Sequence, residues 1–180
     1  MKVAVYFATG YEELEALSVV DVLRRAKIDV VMVGIDGKTV ASARNIHVFM
    51  DTTIEELDHE TVDMIVLPGG VPGVNNLSQS QSVIQNIKAF KEQGKWLAAI
   101  CAAPSILGEN DLLVGERATC YPGYEKYLKG CDYVDERVVV SHQVITGKGA
   151  GASLEFALAI LEVIQGSEAA HKIKESMFIC

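Results

Sequence analysis

One cysteine occupies a place in this chain where a nucleophile is readily exposed. Cys101 lies in Ala98-Ala99-Ile100-Cys101-Ala102-Ala103-Pro104, between an apolar strand-like run and a proline suited to a first helical turn. Small residues two positions to either side, Ala99 and Ala103, permit the sharp strand-to-helix turn of a nucleophile elbow. A free thiol titrates near ~8.5, and backbone N–H groups with the positive end of a helix dipole can bring it to roughly 5–6. The competing reading is a small buried core cysteine; the turn context favours the functional one.

Two other strand ends carry groups suited to the same chemistry. Ala8-Thr9-Gly10-Tyr11 runs into Glu12, Glu13 and Glu15, carboxylates that a helix start favours and that are by default solvated. Glu15, one turn from the Leu14 and Leu17 stripe, points either along the sheet edge toward the pocket or outward, and pattern alone does not settle which. Pro68-Gly69-Gly70 is either a plain strand exit or a place where bare backbone N–H groups approach an anion. Ligands of open α/β sheets gather at the carboxyl ends of strands, so these three segments can converge on one pocket.

Other motifs exclude alternatives. Gly147-Lys148-Gly149-Ala150-Gly151 lacks the Ser or Thr after lysine that a phosphate loop needs, and reads as a turn. Cys120, Cys131 and Cys180 form no C-x-x-C or Cys/His pattern, so neither a metal nor a cofactor is expected; Cys180 reads as an exposed thiol. His47, His59, His142 and His171 are scattered and read as surface residues. Sixteen Lys and Arg against twenty-four Asp and Glu give a net charge of −8, which disfavours nucleic acid and anionic membranes. The longest apolar stretch, near Trp96 to Gly108, falls short of the ~20 residues of a membrane span. With no export signal in view, the expected compartment is the cytoplasm, where disulfides do not persist.

The elements that must position these groups follow from periodicity. With 180 residues, 49% of them apolar, the chain fits a single domain over 1–180. Strands are expected at Val3 to Ala8, Asp29 to Ile35, Asp63 to Leu67, Lys95 to Ile100, Val138 to Ser141 and Val144 to Thr146. Helices are expected at Glu12 to Lys27, Gln81 to Gln93, after Pro104, Ala152 to Ile164 and Glu168 to Ser176. Thr39 to Ser42 and Ile46 to Met50 read as a hairpin edging the sheet, and Glu109 to Asp135 as irregular. Alternating strands and helices predict a flavodoxin-like three-layer α/β sandwich, its mostly parallel sheet covered on both faces.

The order and spacing of four motifs resemble the DJ-1/ThiJ/PfpI superfamily: Ala8-Thr9-Gly10-Tyr11-Glu12-Glu13-Leu14-Glu15, Val66-Leu67-Pro68-Gly69-Gly70, Ala98 to Pro104, and Ser153-Leu154-Glu155-Phe156-Ala157-Leu158-Ala159-Ile160. The likeness runs over essentially the whole chain. It implies that Cys101 is a low-pKa nucleophile prone to oxidation to sulfinate and that Glu15 is protonated and hydrogen-bonded to it. It also implies that Gly70 and Ala102 are the backbone donors of an oxyanion site. A homodimer is implied too, using Leu14, Asp21 and the neighbourhood of Phe49.

The implied chemistry is of glyoxalase or deglycase type on small aldehydes or glycated adducts, in protection against oxidative or carbonyl stress. The alternative is a non-catalytic redox sensor or chaperone-like protein whose Cys101 becomes sulfinate. Many glyoxalase-active members of the superfamily carry a histidine in the segment matching Thr119-Cys120-Tyr121-Pro122. Here Tyr121 is a phenol of pKa near ~10 that donates a hydrogen bond but is no ready base, an accessory residue at most. Ala102 stands where peptidase and chaperone-like branches place histidine, which argues against peptidase activity.

Overall fold

The computed structural model describes residues 1–179; Cys180, expected as an exposed thiol, lies outside the described residues. In chain order, β1 (Lys2–Phe7) leads to α1 (Glu13–Arg25), β2 (Asp29–Gly34), β3 (Thr39–Ala41), β4 (His47–Phe49) and β5 (Thr52–Thr53). Next come β6 (Met64–Leu67), α2 (Gly73–Gln79), α3 (Gln81–Glu92), β7 (Trp96–Ile100) and α4 (Pro104–Glu109). The remainder holds β8 (Arg117–Ala118), β9 (Asp132–Tyr133), β10 (Val138–Ser141), β11 (Val144–Gly147), α5 (Ser153–Gln165) and α6 (Ser167–Ser176).

Side chains alternate across β1, and both sets are apolar. Ala4, Tyr6 and the following Ala8 face one core; Val3, Val5 and Phe7 face the other. A strand buried on both sides needs helices on both sides. The Val5 side is covered by α1 through Ala16, Val19, Val20 and Leu23, and by α5 through Phe156, Ala157, Ile160 and Leu161. The Tyr6 side is covered by α2, α3 and α4 through Leu77, Ile87 and Ile106. The seven-stranded sheet runs β10-β11-β7-β6-β1-β2-β5, with β10 antiparallel and the rest parallel. This is the three-layer α/β architecture expected. No helix among the described residues is long and apolar enough to cross a membrane.

Three local expectations are corrected. The β3–β4 hairpin is a separate two-stranded ribbon, and β5 forms the sheet edge beside β2. The ribbon docks on the β1–α1 loop, where Gly10 donates to Ala41 O (2.8 Å) and Ala43 donates to Tyr11 O (2.8 Å). Helix α2, unread in the sequence, is short and opens right after a glycine-rich turn, so its periodicity is too brief to register. The supposedly irregular 109–135 stretch contains the parallel β8–β9 pair.

Tyr11 adds a stability feature. Its ring is fully buried edge-on against Phe7, centroids 4.8 Å apart, and its hydroxyl has no hydrogen-bond partner. An orphaned buried hydroxyl costs about 1–3 kcal/mol. Tyr11→Phe is therefore expected to raise stability by about 1 kcal/mol, a gain of about 2–4 °C in Tm by thermal denaturation. A fall in Tm would show that the hydroxyl has a partner.

Candidate active site

Chain direction splits between β1 and β6, since β2 lies on one side of β1 and β6 on the other. The crevice above such a switch point is where ligands of this architecture sit. Three loops meet there. Glu12 caps α1 by accepting the Glu15 N–H (2.9 Å) and ties its own N–H to Gly69 O (3.0 Å). Gly73 donates to Gly10 O (3.2 Å).

Glycine is required at the centre. A Cβ on Gly69 would lie 2.4 Å from Glu15 Oε2 and 2.6 Å from Cys101 Cβ, so this bare backbone is what lets the two side chains meet. Gly70 has φ +91°, and a Cβ there would strike Glu12 N at 2.6 Å.

Of the three carboxylates at the α1 start, Glu13 and Glu15 depart from the solvated default. Glu13 is buried and accepts from Ser42 Oγ (2.5 Å) and Arg44 N (2.8 Å), which clamps the β3–β4 ribbon. Glu15 is fully buried; Oε2 accepts the Gly69 N–H (2.8 Å) and Oε1 has no partner. Burial pushes its carboxyl up to about 7, against the pull of Cys101 and the Gly69 amide.

Cys101 is half-buried at the exit of β7, with φ +66°, a left-handed conformation that a side chain adopts under strain. Two hydrogen bonds hold it: its N–H donates to Gly147 O (2.9 Å) and its C=O accepts from Tyr121 N (2.7 Å). The turn is the expected elbow, with Pro104 opening α4. The N–H groups of Ala102 and Gly70 act on the sulfur and favour its anion. Cys101, Glu15, Gly70 and Ala102 are thus brought together.

The low-pKa thiol that the resemblance implies meets opposing influences in this site. Burial, then the charge and hydrogen bonding of Glu15, push the Cys101 thiol up to about 12, outweighing the two amides. Helix α4 has only six residues, too short a dipole to reverse this. Cys101 and Glu15 titrate as a pair, and ionising Glu15 keeps the proton on sulfur.

Tyr121 is half exposed and linked to Cys101 through its backbone. Its ring lies over Gly149 in a groove of about 330 Å³ that also includes Arg137 and Lys148. Those two cations are paired with Glu155 (2.5 Å) and Asp135 respectively.

Of the histidines, His47, His142 and His171 are exposed, but His59 is half-buried, bonded to Asn86 (2.8 Å), and burial lowers its pKa. Sequence reading missed buried Glu116, which takes Lys91 (2.7 Å), Ser141 (2.7 Å) and His142 (2.8 Å); no spacing signal marks it. Among the described residues no cluster of His, Cys, Asp or Glu is placed to hold a metal.

Comparisons with known proteins bear on the family and the fold. The model of the DJ-1/PfpI family matches residues 1–163. Protein DJ-1 homolog B of Arabidopsis thaliana is 34% identical over 99% of this chain, which spans 41% of that longer protein. Glutathione-independent glyoxalase DJR-1.2 of Caenorhabditis elegans is 35% identical over 87% of this chain and 84% of its own length. The crystal structure of Drosophila melanogaster DJ-1beta superposes with a TM-score of 0.95, at 34% identity and full coverage of both chains.

Proposed function

This chain belongs to the DJ-1/PfpI family, and from that premise we propose that it acts on small reactive aldehydes or glycated adducts through Cys101, with Glu15 moving protons. The observation that carries the reading is the fully buried Glu15 carboxyl, which meets Cys101 across the bare backbone of Gly69. A carboxyl titrating near 7 is poised to take and return a proton at neutral pH. The pair above that pH rests as thiol and carboxylate, so the proton leaves sulfur only as sulfur attacks. The name of the Caenorhabditis elegans relative supports the same chemistry.

With methylglyoxal, Sγ adds to the aldehyde carbon while its proton passes to Glu15. The carbonyl oxygen gains charge within reach of the Gly70 and Ala102 N–H groups, then takes that proton to give a hemithioacetal. Glu15 next removes the hydrogen on the former aldehyde carbon as a proton and returns it to the neighbouring carbon through an enediol. The product is a lactoyl thioester, which water hydrolyses to lactate and free Cys101. One carbon is oxidised and its neighbour reduced, so one water is consumed and no outside oxidant is needed.

The discriminating experiment is lactate formation from methylglyoxal by wild type and Tyr121→His. If the native site is tuned for this reaction, histidine is expected to change turnover by less than about tenfold, since a new general base contributes 10²–10⁴-fold only where one is lacking. A gain of about a hundredfold or more would favour a second reading, a redox sensor. That reading draws on the half-buried sulfur and its two amides, which can hold sulfinate oxygens. Intact mass after mild peroxide should then place two oxygens on Cys101 alone.

The protein works as a homodimer paired through α1. Leu14 is 60% exposed and Phe49 78% exposed, and Leu14 borders a cavity of about 380 Å³ with Leu154 and Ile179. Asp21 pairs with Arg25 in its own helix (2.9 Å), so the apolar residues drive pairing. Sedimentation at micromolar concentration should give a dimer, and Leu14→Arg a monomer.

A further inference from the structure

A small cleft of about 200 Å³ is lined by segments that border Cys101, and no step above uses it. Three backbone routes place it. Val74 donates its N–H to Gly70 O (2.8 Å), Ser105 donates to Ala102 O (3.1 Å), and Tyr124 donates to Tyr121 O (3.1 Å). Gly70 and Ala102 supply the amides facing the sulfur, and Tyr121 is bonded to Cys101 itself. Val74, Ser105 and Tyr124 all line the cleft, so three of its lining residues are hydrogen-bonded to residues that border the sulfur.

Its lining selects for charge. Glu109, the last residue of α4, presents an exposed carboxylate that is in no ion pair among the described residues. No Lys or Arg lines the cleft. The hydroxyls of Ser105 and Ser78 already donate to backbone carbonyls, Ala102 O (2.7 Å) and Asn75 O (2.9 Å), which leaves lone pairs rather than protons for a ligand. Tyr124 and Tyr127 stand at one wall with ring centroids 5.8 Å apart. The Tyr127 ring already attracts the Lys126 ammonium, 4.9 Å from its centroid. Acceptors, aromatic faces and one unpaired negative charge together suit a cationic donor and repel an anion.

We propose that this cleft is a subsite for a guanidinium or ammonium group on the small carbonyl compound that meets Cys101, with Glu109 as its counter-charge. The proposal rests on Cys101 being the nucleophile, and its test separates the two claims. Cys101 alkylation is followed by peptide mass spectrometry with a neutral iodoacetamide and with one bearing a guanidinoethyl arm. In wild type the guanidino probe is expected to react about three- to tenfold faster than the neutral one, the scale of one exposed ion pair plus an aromatic contact. Glu109→Gln should bring that ratio close to one. Glu92→Gln, which removes an exposed carboxylate elsewhere on the surface, should keep it.

A ratio indifferent to Glu109, or lowered equally by Glu92→Gln, overturns the subsite while leaving the nucleophile intact. Failure of the neutral probe to label Cys101, with labelling at Cys120 or Cys131 instead, removes the nucleophile reading and the subsite with it.

Discussion

Cys101→Ser should abolish methylglyoxal consumption, a loss of at least about 10³-fold, because the proposed chemistry runs through a covalent bond to its sulfur. Serine preserves the size of the side chain, so the left-handed turn and the contact with Gly69 survive. What it lacks is the sulfur: a hydroxyl is both a weaker acid and a much poorer nucleophile than a thiol. Glu15→Gln should cost about 10²–10⁴-fold in the same assay, since glutamine keeps the bond from Gly69 but cannot accept a proton. The double variant should be no worse than Cys101→Ser, because the two groups act on one proton and their effects do not add. Indistinguishable rates in wild type and both single variants would end the proposed chemistry.

Why Cys101 could be picked out from sequence, and other site residues not, has a physical basis. Strand exits are punctuated by Pro, Gly and small residues, so the sheet, its two faces and the three loops at its carboxyl edge were legible. Cys101 was legible because alanines and a proline around a thiol fit few other arrangements. Glu13 and Glu15 were not separable by pattern, since both are buried at the same helix start and only tertiary partners tell them apart: Ser42 for one, Gly69 for the other. The influences that push the thiol up were not legible, because a sequence shows the helix start but not the buried carboxylate that faces it. Glu116 escaped for a similar reason, its partners Lys91, Ser141 and His142 being far away along the chain. Contacts of that kind carry no periodicity.

The same burial that readies Glu15 as a base should also weaken the fold at neutral pH, and Glu15→Gln should reveal by how much. Its carboxyl titrates near 7 in the folded protein and near ~4.3 in an unfolded chain. A folded-state pKa raised above the unfolded one favours the native state fully below the lower value, and that advantage is lost as pH rises through the higher one. Relative to glutamine, which stays neutral, wild type should therefore be similar near pH 4 and progressively less stable up to about pH 8, by about 3 kcal/mol. Urea denaturation of both proteins at several pH values measures this difference. Glu13 and Glu116, whose pKa values are lowered by their partners, lose stabilisation as pH falls, but they do so in both proteins and cancel. A difference that keeps growing above about pH 8 would mean Glu15 is not ionised in the native state over this range. It would then stand as a proton donor to sulfur rather than a base, and the order of proton transfers from Cys101 would reverse.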